Sequence, residues 1–310
     1  MNPLGGTELQ YKFLQDNVEK SLLDQFQICL SVPGKVPLSA NKINILWQKN
    51  SWDQPPLQPF FKNKSRHKEY DYYVFNSHWN YENFRKRFNI PQEKCTVIKN
   101  GIPDIKQRNA DQKKDKIKLI YHPTPWRGLS VLLGAMQLVK NPNIELDVYS
   151  STKVYGSEFE KQNDDQYKAL YDQAKILPNV NYIGYKPNEY ILDNLHTYDA
   201  FVYPNIWEET FCISALEALA CGLAVVTTDN GALYETCSEF PVYVPMDTNY
   251  NNLATQFAAV IDGLPEQMNT TGFQYHLKFQ QKFFNHFYHW KNIAGQWTSF
   301  LKGALNAKST

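Results

Sequence analysis

Short apolar runs, typical of buried strands, alternate with helical patterns along most of the chain. In the first half the runs lie at 26–32, 43–47, 70–75 and 96–99, and the helical patterns lie at 8–24 and 79–88. A strand that is covered on both faces forms a continuous apolar run. The alternation therefore predicts a parallel sheet with helices on both faces.

The same rhythm starts again after residues 104–116, a polar segment that we interpret as a linker. Strands are predicted at 118–121, 146–150, 180–183, 200–203 and 224–227, and helices at 129–139, 164–176, 189–195 and 211–220. The chain is thus predicted to contain two α/β domains in tandem. We assign 1–103 to the first, 104–278 to the second, and 279–310 to C-terminal helices that pack back across both domains.

Composition excludes several classes of protein. A chain of 310 residues suits about two domains. The balance of 32 Lys and Arg against 31 Asp and Glu argues against a dedicated nucleic-acid binder. No apolar stretch is long enough to span a membrane. Five scattered cysteines without a C-x-x-C pair predict reduced thiols, no thiolate metal site and a cytoplasmic location.

The last segment has an unusual composition. From residue 267 to the end there are five lysines, no acids and ten aromatic residues, and 279–290 has a helical pattern with a broad aromatic face. One interpretation is a basic helix on a membrane surface, which would make the protein peripheral to a membrane. The other is a helix that packs against both domains, which we favour because apolar stripes more often serve a protein core.

The richest motif runs from Pro204 to Val226, where a strand leads through a loop into a helix and a second strand. Glu209 and Glu217 are eight residues apart and would share one helical face. Such a loop follows the carboxyl end of a parallel strand, where α/β proteins bind ligands. The plainer interpretation is a capping carboxylate and an exposed acid. The second strand and Gly222 favour the ligand site.

The start of the helix would also supply hydrogen-bond donors. These are the backbone amides of Thr210, Phe211 and Cys212, which could bind an anion or sugar hydroxyls.

This segment resembles the E-x7-E motif of retaining glycosyltransferases of family 4. Other matches follow the family's order along the chain: Gly5–Glu8 resembles its G-G-x-E, Ile98–Ile102 the end of its first domain, Trp126–Leu129 its K-G segment, and Gly231–Glu235 its G-G-x-x-E. The resemblance implies an α/β GT-B fold, two Rossmann-like domains facing across a cleft. The first domain would be small and lack a usual first strand.

The resemblance also implies roles for individual residues. Glu217 would bind the ribose hydroxyls of a nucleotide-sugar, Glu209 would face the donor sugar, and Arg127 would hold the diphosphate. A carboxylate can accept protons from two hydroxyls, and a guanidinium can bind phosphate oxygens in pairs. Gly6 would let the backbone approach a phosphate or the acceptor closely. Topology places the base pocket near 149–151 and 183–186, which includes Tyr185.

No metal or cofactor is expected, because Asp-x-Asp and clusters with ligand spacing are absent from the sequence. Protein cations would then stabilise the leaving diphosphate. Arg127 is the first candidate, and Lys49 and His122 are the second. Both secondary residues depart from the family: His122 stands at a usual arginine, and Lys49 at a histidine of the first domain.

The predicted function is transfer of a sugar from a nucleotide-sugar donor, with retention of anomeric configuration and without a metal. The acceptor would be a carbohydrate or a protein-linked or lipid-linked group, and no nucleic acid is expected as a partner. The alternative is a nucleotide-sugar or glycan-binding protein on the same fold that has lost turnover. A nicotinamide dehydrogenase is disfavoured because no G-x-G-x-x-G follows a strand.

Overall fold

The computed structural model describes residues 5–109 and 115–309. Internal contacts divide the chain into two compact units. The N-terminal unit comprises 6–103, 209–212 and the described residues after 286, and the C-terminal unit comprises 104–208 and 213–286 outside 110–114, with residue 5. The segment 279–310, predicted as one piece, is thus divided after His286. The predicted domain boundaries stay a prediction.

The N-terminal unit is built on a four-stranded parallel sheet in the order β1-β2-β3-β4. Its strands are β1 (Phe26–Leu30), β2 (Ile43–Gln48), β3 (Tyr72–Phe75) and β4 (Cys95–Val97). Its first four helices are α1 (Gly6–Asn17), α2 (Lys20–Leu23), α3 (Gln58–Phe61) and α4 (His78–Phe88). The helical pattern at 8–24 therefore forms two helices, because Glu19 has an extended backbone (ψ 128°).

Both faces of this sheet are buried. Trp47 of β2 packs edge-on against Trp297, with ring centroids 4.7 Å apart. Its neighbour Leu46 lies in a separate core cluster with Phe61 and Phe84. Successive side chains of a strand point to opposite faces, so the two clusters cover opposite sides of β2. This explains why the strand forms a continuous apolar run.

The C-terminal unit contains a six-stranded parallel sheet in the order β10-β9-β8-β5-β6-β7. Its strands are β5 (Ile117–Tyr121), β6 (Ile144–Val148), β7 (Val180–Tyr182), β8 (Ala200–Tyr203), β9 (Ala224–Thr228) and β10 (Val242–Val244). Its helices up to β10 are α5 (Leu129–Leu138), α6 (Ser157–Asn163), α7 (Lys168–Ile176), α8 (Asn188–Asn194), α9 (Ile213–Cys221) and α10 (Leu233–Cys237). The strand order changes direction between β5 and β8.

Three longer helices end the chain: α11 (Tyr250–Met268), α12 (Thr271–Tyr288) and α13 (Trp290–Ser309). Packing of α11 on α5 is close, since a Cβ added at Gly134 would lie 3.4 Å from the Cβ of Ala254. The helix predicted at 279–290 is in fact two helices separated at His289. Among the described residues, no helix combines the length and the apolar character that crossing a bilayer requires.

The segment interpreted as a linker packs on the C-terminal unit where it is described. Ile105 and Arg108 are buried, and the Arg108 guanidinium forms a buried ion pair with Asp199 at 2.8 Å. The Arg108 amide also donates to the carbonyl of Cys221 at 2.8 Å. Polar composition suggested a solvated linker, but a guanidinium that is paired with a carboxylate can be buried. The rest of the predicted linker, 110–114, lies outside the described residues.

The cysteines match the prediction in part. All five thiols are free, and four are buried as small core residues; Cys95 is half-buried. The cytoplasmic location inferred from them stays a prediction.

Candidate active site

The loops that follow β5 and β8 meet at the carboxyl edge of the C-terminal sheet. The amide of Ile206 donates to the carbonyl of Arg127 at 3.4 Å. Gly128 has a φ of +128°, and a Cβ on it would lie only 2.0 Å from the carbonyl oxygen of Pro204. A glycine is therefore needed for this contact. The position is the topological switch point of the sheet, where open α/β sheets bind ligands.

Two predicted residues lie in the loop after β5. Arg127 is half-buried and ends the 3₁₀ turn Pro125–Arg127. His122 directly follows β5; its ring lies 5.1 Å from that of Phe201, and its Nε2 atom is buried without a partner among the described residues. Burial lowers the pKa of His122 to about 4. At neutral pH it is an uncharged hydrogen-bonding group, so it is a poor candidate for a cation that stabilises a leaving group.

Glu217 is a buried carboxyl with little compensation. It lies on α9 and is 4% exposed. Among the described residues, the Asn188 side-chain amide, at the first residue of α8, donates a hydrogen bond to Glu217 at 3.4 Å. Burial raises the pKa of Glu217 to about 8. When neutral, the carboxyl can donate a hydrogen bond to a ligand. When ionised, it can accept hydrogen bonds from two hydroxyls.

The two segments predicted to form a base pocket are neighbours. The amides of Ile183 and Gly184 both donate to the carbonyl of Val148, at 2.9 and 3.2 Å. The hydroxyl of Tyr182 donates to the carbonyl of Ser150 at 3.1 Å. Tyr185 is half-exposed, with the Lys153 ammonium 5.8 Å from its ring. These contacts join the ends of β6 and β7, while base binding there stays a prediction.

Residues 209–212 belong to the N-terminal unit, although α9 continues directly from them. The Thr210 hydroxyl donates to the carbonyl of Lys49 at 2.7 Å and accepts from the Asn76 side-chain amide at 3.1 Å. The Ser77 hydroxyl donates to the Thr210 carbonyl at 2.6 Å. Thr210 is thus held at the carboxyl ends of both β2 and β3.

The predicted helix start at 211 is wrong by two residues, because α9 begins at Ile213. Thr210, Phe211 and Cys212 precede the helix, and a role for their amides in ligand binding stays a prediction. Glu209 in the same segment is buried, with 5% exposed. Its position relative to a donor sugar also stays a prediction.

Lys49 is a buried amine at the carboxyl end of β2. Its ammonium donates to the Asn100 side chain at 2.5 Å and lies 3.8 Å over the Trp47 ring. Burial lowers the pKa of Lys49 well below 10.5, and Glu8 opposes this shift. The lowered pKa makes Lys49 a weaker candidate for stabilising a diphosphate than the sequence suggested.

Gly6 is the first residue of α1, and Gln10 ties that helix to the strand-following loop after β4. The Gln10 side chain donates to the Gly101 carbonyl at 2.8 Å and accepts from the Gly101 amide at 3.0 Å. Asn100, the residue before Gly101, is the one that holds Lys49. Gly6, the buried amine and this loop therefore belong to one edge of the N-terminal sheet.

Sequence reasoning missed Asn188, Asn76, Ser77 and Asn100. Asn76 and Ser77 follow a predicted strand directly, so their position at a sheet edge was available as a signal. Asn188 follows Pro187 at a helix start, which indicates a cap rather than a partner for an acid 29 residues further along the chain. Within residues 5–109 and 115–309, no three His, Cys, Asp or Glu side chains are grouped so as to hold a metal ion.

Comparison with known families identifies the chain. The model of the family described as glycosyl transferases group 1 matches residues 102–270, more than half of the chain. The chain belongs to this family. The group 1 glycosyltransferase family and the two-domain, Rossmann-like GT-B fold are confirmed. The retaining, family 4 character stays a prediction. A search of curated proteins found no significant match.

Solved structures resemble this group 1 glycosyltransferase at low sequence identity. A glycosyltransferase from Rickettsia africae has a TM-score of 0.69 and 14% identity, covering 98% of this chain and 84% of that one. Sucrose-phosphate synthase from Thermosynechococcus elongatus has a TM-score of 0.67 and 17% identity, covering 97% and 79%. HepE of Anabaena in complex with UDP-glucose has a TM-score of 0.64 and 16% identity, covering 84% and 72%. These likenesses support the fold.

Proposed function

We propose that this glycosyltransferase takes its sugar from a nucleotide-diphosphate donor and transfers it with retention of configuration, without a metal ion. One observation carries the proposal: a buried, weakly compensated carboxyl, Glu217, on the helix α9 that follows the switch-point strand β8. A buried acid with a single long hydrogen bond is costly unless a ligand completes it. Ribose hydroxyls would supply the two missing donors.

The other residues take roles that suit their positions. Arg127, in the loop that contacts Pro204–Ile206, would bind the diphosphate. The ends of β6 and β7, with Tyr185, would contact the base. For the N-terminal unit, the proposed roles are contact with the donor sugar by Glu209 and backbone hydrogen bonds to a ligand by Gly6 and the amides of 210–212.

Charge on the leaving diphosphate would be balanced mainly by Arg127. His122 is uncharged near neutral pH, and the pKa of Lys49 is far below its ordinary value. A guanidinium stays charged at every physiological pH and binds phosphate oxygens in pairs. A metal-independent reaction therefore depends on this one side chain more than the sequence alone suggested.

The identity of the donor base is to be determined by experiment. Uridine is tested first, because HepE, a protein of similar fold, was solved in complex with UDP-glucose. A thermal-shift panel of UDP, GDP, ADP, CDP and dTDP in EDTA tests both nucleotide binding and independence from metal. A nucleotide at 100 times its dissociation constant stabilises by about 2.7 kcal/mol, which raises the melting temperature by about 5 °C.

One nucleotide is expected to give this shift in EDTA. The matching nucleotide-sugar then serves as donor, and NMR of the product's anomeric proton tests retention. A shift that requires Mg²⁺ contradicts metal independence, and an inverted product contradicts retention. Binding without transfer to any acceptor in a carbohydrate panel favours the binding-protein alternative.

A further inference from the structure

Three aromatic side chains form a cluster at the carboxyl edge of the C-terminal sheet. Trp126 directly precedes Arg127 in the loop after β5, and Tyr155 and Phe159 come from the segment after β6. The Trp126 and Tyr155 rings are nearly parallel, at 19° to each other with centroids 5.9 Å apart. The Phe159 ring lies 5.3 Å from that of Tyr155 and 6.4 Å from that of Trp126. We name Trp126, Tyr155 and Phe159 the aromatic platform.

The aromatic platform is open to solvent. Tyr155 is 46% exposed, Phe159 is 37% exposed and Trp126 is half-buried. Single exposed apolar residues are normal, but neighbouring rings that are exposed together favour a binding surface. Aromatic rings suit such a surface because each supplies a large contact area with few rotatable bonds.

The turn that carries Tyr155 is anchored to a carboxylate. Tyr155 ends the 3₁₀ turn that begins at Thr152. The Asp164 carboxylate accepts from the Thr152 hydroxyl at 2.9 Å and from the Tyr171 hydroxyl at 3.0 Å. A ring on an anchored turn loses less freedom when a ligand binds, so the platform is preorganised.

The charges around the aromatic platform disfavour a phosphate-bearing ligand. Residues 151–167 contain two lysines and four acids, and Lys153 is paired with Glu160 at 3.7 Å. With Arg127 included, three cations stand against four acids. A nucleic acid or an anionic bilayer needs an excess of positive charge, which this segment lacks. A two-fold contact with a second copy would bring the same acids together.

We propose that the aromatic platform binds a sugar ring of an uncharged oligosaccharide. The face of a pyranose ring carries C–H bonds, which stack on aromatic rings, and its hydroxyls form hydrogen bonds at the edge of the stack. Glu158 and Gln162 on α6 are exposed, joined by a hydrogen bond of 3.2 Å, and can bond to such hydroxyls. An uncharged ligand also needs no excess of positive charge. The inference rests on these residues and on the glycosyltransferase family, and not on donor binding at Glu217.

Saturation-transfer difference NMR of the full chain tests the proposal. The probes are maltohexaose, cellohexaose, laminarihexaose, mannohexaose and N-acetylchitohexaose, which are uncharged. At least one is expected to show saturation on its ring C–H protons, because these would lie against the aromatic rings. Titration then gives its dissociation constant, which should be the same at about 0.1 M and about 1 M salt, since no charge is paired on binding.

Variants of the platform test which rings bind the oligosaccharide. Tyr155→Ala removes a ring and is expected to weaken the affinity about tenfold, and Phe159→Ala, outside the anchored turn, about fivefold. Tyr155→Phe keeps the ring and should bind within twofold of the native chain. The matched control is Tyr250→Ala on α11, since Tyr250 is 45% exposed in the same unit. It should also bind within twofold.

The melting temperature of each variant shows whether the fold is kept, and the thermal shift with nucleotide should persist in Tyr155→Ala. Saturation of none of the five oligosaccharides overturns the proposal. An equal loss of affinity in Tyr250→Ala, or full affinity in both Tyr155→Ala and Phe159→Ala, also overturns it. Loss of the nucleotide shift with unchanged oligosaccharide binding would assign Tyr155 to the donor base instead. A chain that binds an oligosaccharide but no nucleotide contradicts the proposed donor site and supports this inference.

Discussion

The carboxyl edges of the two sheets each hold a buried ionisable side chain, but the two are compensated differently. Lys49, at the edge of the N-terminal sheet, has a short hydrogen bond to Asn100 and an aromatic ring beneath its ammonium. Glu217, on α9 in the C-terminal unit, has one hydrogen bond of 3.4 Å within the part of the chain that the structure describes. The first group is satisfied within its unit, and the second is left for a ligand to complete.

We therefore expect the two sheet edges to have different roles. The network around Thr210, Asn76 and Ser77 holds residues 209–212 in the N-terminal unit. The loops after β5 and β8 instead hold each other and leave a carboxyl under-compensated nearby in sequence. Changes at the first edge should alter stability and local order, and changes at the second should alter ligand binding or the loop contact on which it depends.

The largest effect on stability is expected at the loop contact of the C-terminal edge. Gly128→Ala would force a Cβ against the Pro204 carbonyl in a backbone conformation that alanine avoids, at a cost of about 4 kcal/mol in unfolding free energy. Urea denaturation measures it. Gly263→Ala is the control within α11, where the added Cβ meets nothing and should stabilise by up to about 1 kcal/mol. Equal effects would show that the loop contact is not tight.

The next effect is a change in how stability depends on pH. The pKa of Glu217 is about 8 in the folded chain against 4.5 as the ordinary value, so the folded state binds the extra proton between these limits. Its contribution to stability is full below pH 4.5 and is lost as pH rises toward 8. In the ligand-free chain, Glu217→Gln should remove about 2 to 3 kcal/mol of the decline between pH 5 and pH 7.

Denaturation at several pH values measures this decline. Glu239→Gln, at an exposed acid of the same unit, is the control and should keep the decline unchanged. A Glu217→Gln variant whose stability falls with pH as steeply as the native chain would mean that Glu217 is ionised at neutral pH.

Lys49 should change the free energy of unfolding with pH in the opposite direction. Its pKa in the folded chain lies well below 10.5, so the unfolded chain binds more protons and stability rises as pH approaches 10.5. Lys49→Met should lose that rise. At pH 10 the variant should be less stable than the native chain by about 2 kcal/mol, because Asn100 loses its donor, and the gap should narrow as pH falls.

Denaturation at several pH values between 6 and 10 measures the difference in stability between Lys49→Met and the native chain. Lys302→Met replaces an exposed lysine and should leave the profile unchanged. A gap that widens toward low pH would mean that the buried amine carries its charge in the folded state.

The smallest effect is expected at Thr210. Thr210→Val keeps the side chain's shape and removes two hydrogen bonds, which should cost about 1.5 kcal/mol and raise amide exchange in 209–212. Thr210→Ser keeps the hydroxyl and should restore most of the protection. Hydrogen exchange followed by mass spectrometry measures both. Protection in the valine variant equal to that in the native chain would contradict the role of the hydroxyl.

The sequence predicts the strands of this protein better than the ends of its helices. Strands such as 43–48 and 200–203 are buried on both faces, so their apolar runs stand out. The start of α9 was predicted two residues early, because the hydrogen bonds of Thr210 to Lys49, Asn76 and Ser77 come from residues more than 130 positions away. No local pattern carries that information.

The candidate site was also predictable only in part. Motifs indicated Glu217, Arg127 and Gly128, and the structure places the last two where the loops meet. The charge states of His122 and Lys49 were not predictable, because they depend on burial by distant chain segments. Asn100, from the loop after β4, and Trp47, from β2, both contact the Lys49 amine and lack a shared motif.

The central claim is that the Glu217 carboxyl binds the ribose hydroxyls of a nucleotide. Isothermal titration calorimetry at pH 9 in EDTA, where Glu217 with a pKa of about 8 is ionised, tests it most directly with the nucleotide selected by the thermal-shift panel. The account predicts that Glu217→Gln weakens the affinity about 100-fold, since hydrogen bonds to a charged group are lost. Glu239→Gln should leave it within twofold. An affinity in Glu217→Gln that equals the native value would contradict the account.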